Sequence, residues 1–117
     1  MALNDDKLRA IFRQELTATE REQGVLYELL DPLEAGSTLE FPQCTIHVAW
    51  DARLAFVDRQ PLANWGHSCR YVLANATTGE VKSIEARFPP FQRNDQRRWV
   101  VAHQAPSVPD TALAVPK

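Results

Sequence analysis

Four residues of this 117-residue chain could assemble a metal site: Cys44-x-x-His47 and His67-x-Cys69. Two thiols and two imidazoles are the donor set that tetrahedral zinc prefers. Strand geometry opposes it, because residues 44 and 47 fall on opposite faces of one strand while 67 and 69 share a face. A bulge or turn at 44–47 would be needed, and the paired C-x-x-C knuckles of common zinc sites are missing. The competing reading is two strand cysteines acting as small buried hydrophobes. Cys69 could also act as a nucleophile with His47 or His67 as base, but no glycine-rich turn surrounds it. A Cys44–Cys69 disulfide is geometrically open across neighbouring strands, and a reducing compartment would disfavour it. Asp51 and Asp58 flank a predicted hairpin, where acids commonly bond their own turn. There is no Walker A loop, GxGxxG or HExxH. The reading therefore expects no catalytic residue and no cofactor.

Two segments read better as binding surfaces. Residues 87–99 interleave Arg87, Arg93, Arg97 and Arg98 with Phe88, Phe91 and Trp99. Guanidinium and aromatic faces suit single-stranded nucleic acid or a protein partner, where Arg and Trp are typical anchors. They equally suit a loop whose arginines offset acidic helices of the same molecule. The loop Leu62-Ala-Asn-Trp-Gly-His67 offers an aromatic ring, an amide and an imidazole beside a flexible glycine. Its Trp65 and His67 are the leading surface candidates, with Arg93, Arg97, Arg98 and Trp99 beside them. His67 is the natural pH-sensitive group there.

These residues need elements to hold them. Asn4 or Asp5 can cap an N-terminal helix in which Leu8, Ile11, Phe12 and Leu16 share a face. Thr17–Glu20 and Thr19–Glu22 both have capping-box spacing for a second helix. Leu26, Leu29, Leu30 and Leu33 would continue it, although Gly24 weakens it and Val25, Tyr27 and Leu29 equally suit a strand. Residues 34–38 read as a loop. From residue 39 the period changes to two. Cys44 to Trp50 alternates and is expected to turn at 51–53 and return as Leu54 to Val57. Cys69 to Leu73, Val81 to Phe88 and Trp99 to Ala102 read as further strands, with a turn at Asn75–Gly79. The fold class is α+β, with one or two N-terminal helices packed on a four- to five-stranded, mainly antiparallel sheet. The domain covers 1–105, and the proline-containing tail 106–117 is expected to be flexible or extended.

Composition sets outer bounds. The chain is 44% hydrophobic and 24% charged, with net charge −2, which fits a single globular domain and gives no bulk charge for polyanion binding. Residues 1–40 carry nine acids and four bases, net −5, whereas residues 41–117 carry six acids and nine bases, net +3. This asymmetry would let one copy meet another. No apolar run reaches the roughly 18 residues of a membrane span, and the N-terminus lacks the basic region and apolar stretch of a signal peptide. A cytoplasmic location is expected.

The segment Tyr71-Val-Leu-Ala-Asn-Ala-Thr-Thr-Gly-Glu-Val81 resembles the terminal hairpin of PepSY-type domains, whose strand leads into a D-A-x-T-G-E-V turn. Asn75 stands at the family's usual Asp, while Ala76, Thr78, Gly79, Glu80 and Val81 match. The resemblance covers about a tenth of the chain. It implies a small non-catalytic module of the propeptide or inhibitory kind, and it carries no functional residue across.

The functional expectation is a binding or regulatory module acting through a protein partner or through self-association. The alternatives are a small metal or thiol enzyme built on Cys44, His47, His67 and Cys69, and a single-stranded nucleic-acid binder using residues 87–99.

Overall fold

A computed structural model of the chain describes residues 2–64, 66–91 and 96–116. Helices α1 (Asp5–Glu15) and α2 (Ala18–Gln23) precede seven strands: β1 (Val25–Leu33), β2 (Thr38–Phe41), β3 (Cys44–His47), β4 (Ala52–Asp58), β5 (Cys69–Asn75), β6 (Val81–Ala86) and β7 (Trp99–Gln104). Five strands form one sheet in the order β6-β5-β4-β1-β7, and β2 and β3 form a separate hairpin. Every neighbouring pair is antiparallel. This is the expected α+β class.

Local chemistry starts both helices. Asn4 Oδ1 accepts the Lys7 N–H at 2.8 Å, and Asp5 and Asp6 occupy the first turn of α1, where the dipole favours negative charge. Thr17 and Glu20 form the reciprocal capping box of α2. The open question over residues 19–31 resolves at Gly24: helix before it, strand after it. A Cβ on Gly24 would stand 2.7 Å from Asp58 O and 2.8 Å from Glu20 O. Only glycine lets the chain leave α2 this close to β4.

The central strands of the sheet are buried on both faces. Leu8 and Phe12 of α1, with Leu16 at its C-cap, cover Leu26, Ala55, Val57, Val72, Ala74 and Ala102 on one face. On the other, Tyr27, Leu29, Leu54, Phe56, Tyr71, Leu73 and Trp99 pack beneath Leu39, Phe41 and Ile46 of the β2–β3 hairpin. Each fully buried large side chain contributes about 1.5–3 kcal/mol. Double coverage explains why β4 is buried at every position, which a one-sided sheet would not allow.

One expected pairing does not form. Cys44–Trp50 was expected to fold back on Leu54–Val57. Instead β3 pairs with β2, and β4 pairs with β1 and β5. The β2–β3 ladder is extended by Val48 N–H to Ser37 O at 2.9 Å and Gly36 N–H to Val48 O at 2.6 Å. Asp51 then accepts the Ala35 N–H at 3.0 Å, so the chain crosses into the main sheet. Alternation marks a strand without naming its partner. The β5–β6 hairpin turns as read, with Gly79 at φ 80°.

Beyond β7 the chain is extended apart from a 3-10 turn at Asp110–Ala112. It lies against the sheet: Val108 is buried, Leu113 and Val115 touch the core, and Ala114 N–H donates to Tyr27 Oη at 3.0 Å.

Candidate functional site

The connection between β4 and β5 carries the site. Asp58 ends β4 on the same face as Phe56 and is buried. Its Oδ1 accepts the Gln60 N–H at 3.0 Å and lies 2.8 Å from His67 Nε2. The other ring nitrogen, His67 Nδ1, lies 2.9 Å from Asn64 O. A buried carboxylate therefore holds both ends of the 60–64 segment, directly at Gln60 and through the imidazole at Asn64. Arg87 Nη2 donates to Gly66 O beside it.

The braced segment forms one wall of a cleft of about 450 Å³, lined by Gln23, Arg59, Gln60, Pro61, Leu62, Ala63, Ser107 and Val108. Leu62 stands 71% exposed at its edge, the one large hydrophobic side chain so exposed among the described residues. Arg59 brings little free charge. It donates to Glu20 Oε2 at 2.9 Å, to Ser68 Oγ and Glu85 Oε1 at 2.6 Å, and to Glu85 Oε2 at 2.9 Å. Its hydrogen bonds to Glu85, and then to Glu20, hold the guanidinium proton even more firmly than usual. The cleft thus joins apolar groups to the side-chain amides of Gln23 and Gln60, with its one cation already matched by carboxylates.

Behind it lies a buried ionic cluster. Glu20 is buried and accepts from Arg70 Nη2 at 2.8 Å, Arg70 Nε at 3.0 Å and Arg59 Nε at 2.9 Å. Burial pushes its carboxyl up, but the bonds from Arg70, the Thr17 N–H and Arg59 outweigh that and bring it down to about 2. A second cluster joins Glu28 to Arg9 at 2.8 Å and to Arg53 at 3.4 Å beneath α1. Sequence reasoning missed both. Their only trace was Arg53, Arg70 and Glu28 at positions alternating with apolar residues inside strands.

The expected site residues scatter. Trp65 and Arg93 lie outside the described residues. His67 is only 8% exposed, so it braces the loop from within and does not present a ring to a partner. Trp99 is also 8% exposed and packs edge-on against Phe91 at 5.5 Å. With Phe91 also edge-on to Tyr27 at 4.8 Å, these two rings belong to the core and offer no platform for bases. Arg97 lies over the Phe41 ring at 5.1 Å. Arg98 pairs with Asp31 through its backbone N–H and its Nε, both at 2.9 Å. The backbone bond first, and the guanidinium after it, hold Asp31 below the usual carboxylate range.

Cys44, His47, His67 and Cys69 do not form a cluster. His47 is exposed on β3, His67 is engaged by Asp58, and Cys69 is buried with its thiol 3.7 Å from Phe88 O. No group of three or more His, Cys, Asp or Glu among the described residues converges on a metal position. Both cysteines are free thiols. Burial, with the Asp58 charge adding to it, pushes the Cys69 thiol up to about 12, and burial also raises Cys44. A thiol nucleophile needs the opposite shift. No helix among the described residues is long and apolar enough to cross a membrane.

Comparison with protein-family models, curated proteins and solved structures finds no match to the chain.

Proposed function

We propose that this chain is a small non-catalytic binding module that docks a protein partner at the cleft beside residues 60–63. The observation that carries the reading is Leu62, held 71% exposed at the lip of that cleft. An isolated large apolar side chain on a braced loop is a ready anchor for a partner. The partner supplies an apolar side chain to the cleft and peptide groups to the amides of Gln23 and Gln60. Because Arg59 is already matched by Glu20 and Glu85, the recognised segment is uncharged where it enters. This is the kind of role that the PepSY-like hairpin implied.

The test is selection from a displayed random peptide library against the wild-type chain, with Leu62→Asp as the counter-selection. Burying a leucine is worth about 1.5–3 kcal/mol, so selected peptides should lose tenfold or more in affinity for Leu62→Asp. Peptides that bind both proteins equally, or an empty selection, would overturn the reading. Sedimentation velocity on the same two proteins covers self-association. A dimer that Leu62→Asp dissolves would make the partner a second copy.

A further inference from the structure

We propose that His67 and Asp58 form a proton-operated latch on the cleft wall, closed while the pair shares one more proton than a neutral imidazole beside a carboxylate. The proposal rests on the cleft reading above and adds its regulation. Both neighbours of the ring are acceptors: Asn64 O lies 2.9 Å from Nδ1, and Asp58 Oδ1 lies 2.8 Å from Nε2. A backbone carbonyl cannot donate, and neither can a carboxylate, while a neutral imidazole carries a single N–H. Both contacts are hydrogen bonds only when the pair holds an additional proton. The conclusion is the same for an imidazolium facing a carboxylate and for a neutral ring facing a carboxylic acid. Removing that proton sets one nitrogen lone pair against an oxygen lone pair. The pair is buried, so water does not readily take the lost place.

Among the described residues, the groups around the pair each keep one protonation state. From β4 onward, Arg59 stays charged against Glu85 and Glu20, whose carboxyls are both held below their usual range. From β5, the Cys69 thiol is pushed up to about 12 and stays neutral. From β1, the Tyr27 phenol is pushed up by burial and stays neutral. After β6, Arg87 is occupied by Gly66 O. Imidazole is the side chain whose protonation ordinarily changes in the physiological range. Proton loss releases Asn64 and keeps the Gln60 bond to Asp58, so the 60–64 wall opens about its Gln60 end. The cleft is shaped for its partner while the pair holds its extra proton and loosens when that proton leaves.

The experiment is long-range proton–nitrogen NMR of the imidazole rings between pH 5 and 9, together with amide hydrogen exchange of residues 60–64, on the intact chain with no partner added. The expected result is a His67 ring protonated on both nitrogens at the acidic end. On its deprotonation, exchange at 60–64, corrected for intrinsic rates, should rise about fivefold or more, the ratio one lost hydrogen bond implies. A His67 ring in one neutral tautomer throughout together with an Asp58 carboxyl carbon whose shift does not change, or loop protection that ignores the protonation of the pair, would overturn the latch. His67→Gln removes the titrating ring and should abolish the pH response of the loop. If that variant does not fold, the wild-type titration alone decides. These readouts need no partner, so failure of the docking reading leaves them intact. Docking that exists but ignores pH would refute only the regulation.

Discussion

Replacing Glu20 by Gln tests the buried ionic cluster as a source of stability. The substitution keeps the side chain's size and its acceptor for the Thr17 N–H, and it removes the charge that faces Arg59 and Arg70. Glu20 is only 3% exposed, so solvent does little to screen the loss. Bringing its carboxyl from 4.5 to about 2 corresponds to about 3 kcal/mol at about 1.4 kcal/mol per pH unit. Breaking a buried pair by removing one partner costs about the same, 3–5 kcal/mol. Glu20→Gln should therefore lose about 3 kcal/mol at pH 7, or roughly 12 °C in Tm for a chain of 117 residues. The folded-state value is depressed, so this stabilisation is fully present above the unfolded value of 4.5 and is lost as pH falls toward about 2. Urea denaturation of both proteins between pH 7 and pH 2.5 should show the gap narrowing through that window. A gap that keeps its size down to pH 2.5 would show that lost packing is responsible, and would refute the assignment to charge.

Four further outcomes follow from burial, exposure and close approach. Gly24→Ala should cost about 2 kcal/mol or more in urea denaturation, because its Cβ would meet two backbone oxygens within 3 Å. Phe56→Ala should cost about 3–5 kcal/mol by the same measurement, since the ring is fully buried against Tyr27, Tyr71 and Phe91. In the native protein at pH 8 a disulfide reagent should modify Cys44 before Cys69, whose thiol is held at about 12, and mass spectrometry of labelled peptides reads the order. Leu62→Asp, the probe for docking, should leave the unfolding free energy within about 0.5 kcal/mol of wild type, as its exposure dictates.

Features decided within a few residues of one another could be read from the sequence alone. The helix starts, the face through Leu8, Phe12 and Leu16, and the Asn75–Gly79 turn all rest on local spacing and stand in the structure, which chooses Asn4 over Asp5 and the Thr17–Glu20 box over Thr19–Glu22. The α+β class followed from where the period changes from helical to alternating. Partner choice was another matter. The alternation at 44–50 marked a strand correctly at 44–47, but only the tertiary fold could set it beside β2 and send β4 between β1 and β5. Residue type also misplaced the candidate surface. Trp99 and His67 were expected outside and lie inside, because coverage by the β2–β3 hairpin and a carboxylate at the end of β4 decide their exposure. Nothing in the sequence pointed Arg59 and Arg70 to Glu20, which the fold brings to them across 39 and 50 residues of chain. Period and capping are short-range physics and are written along the chain. Burial and charge pairing depend on which distant segments meet, and that was settled only when both faces of the sheet closed.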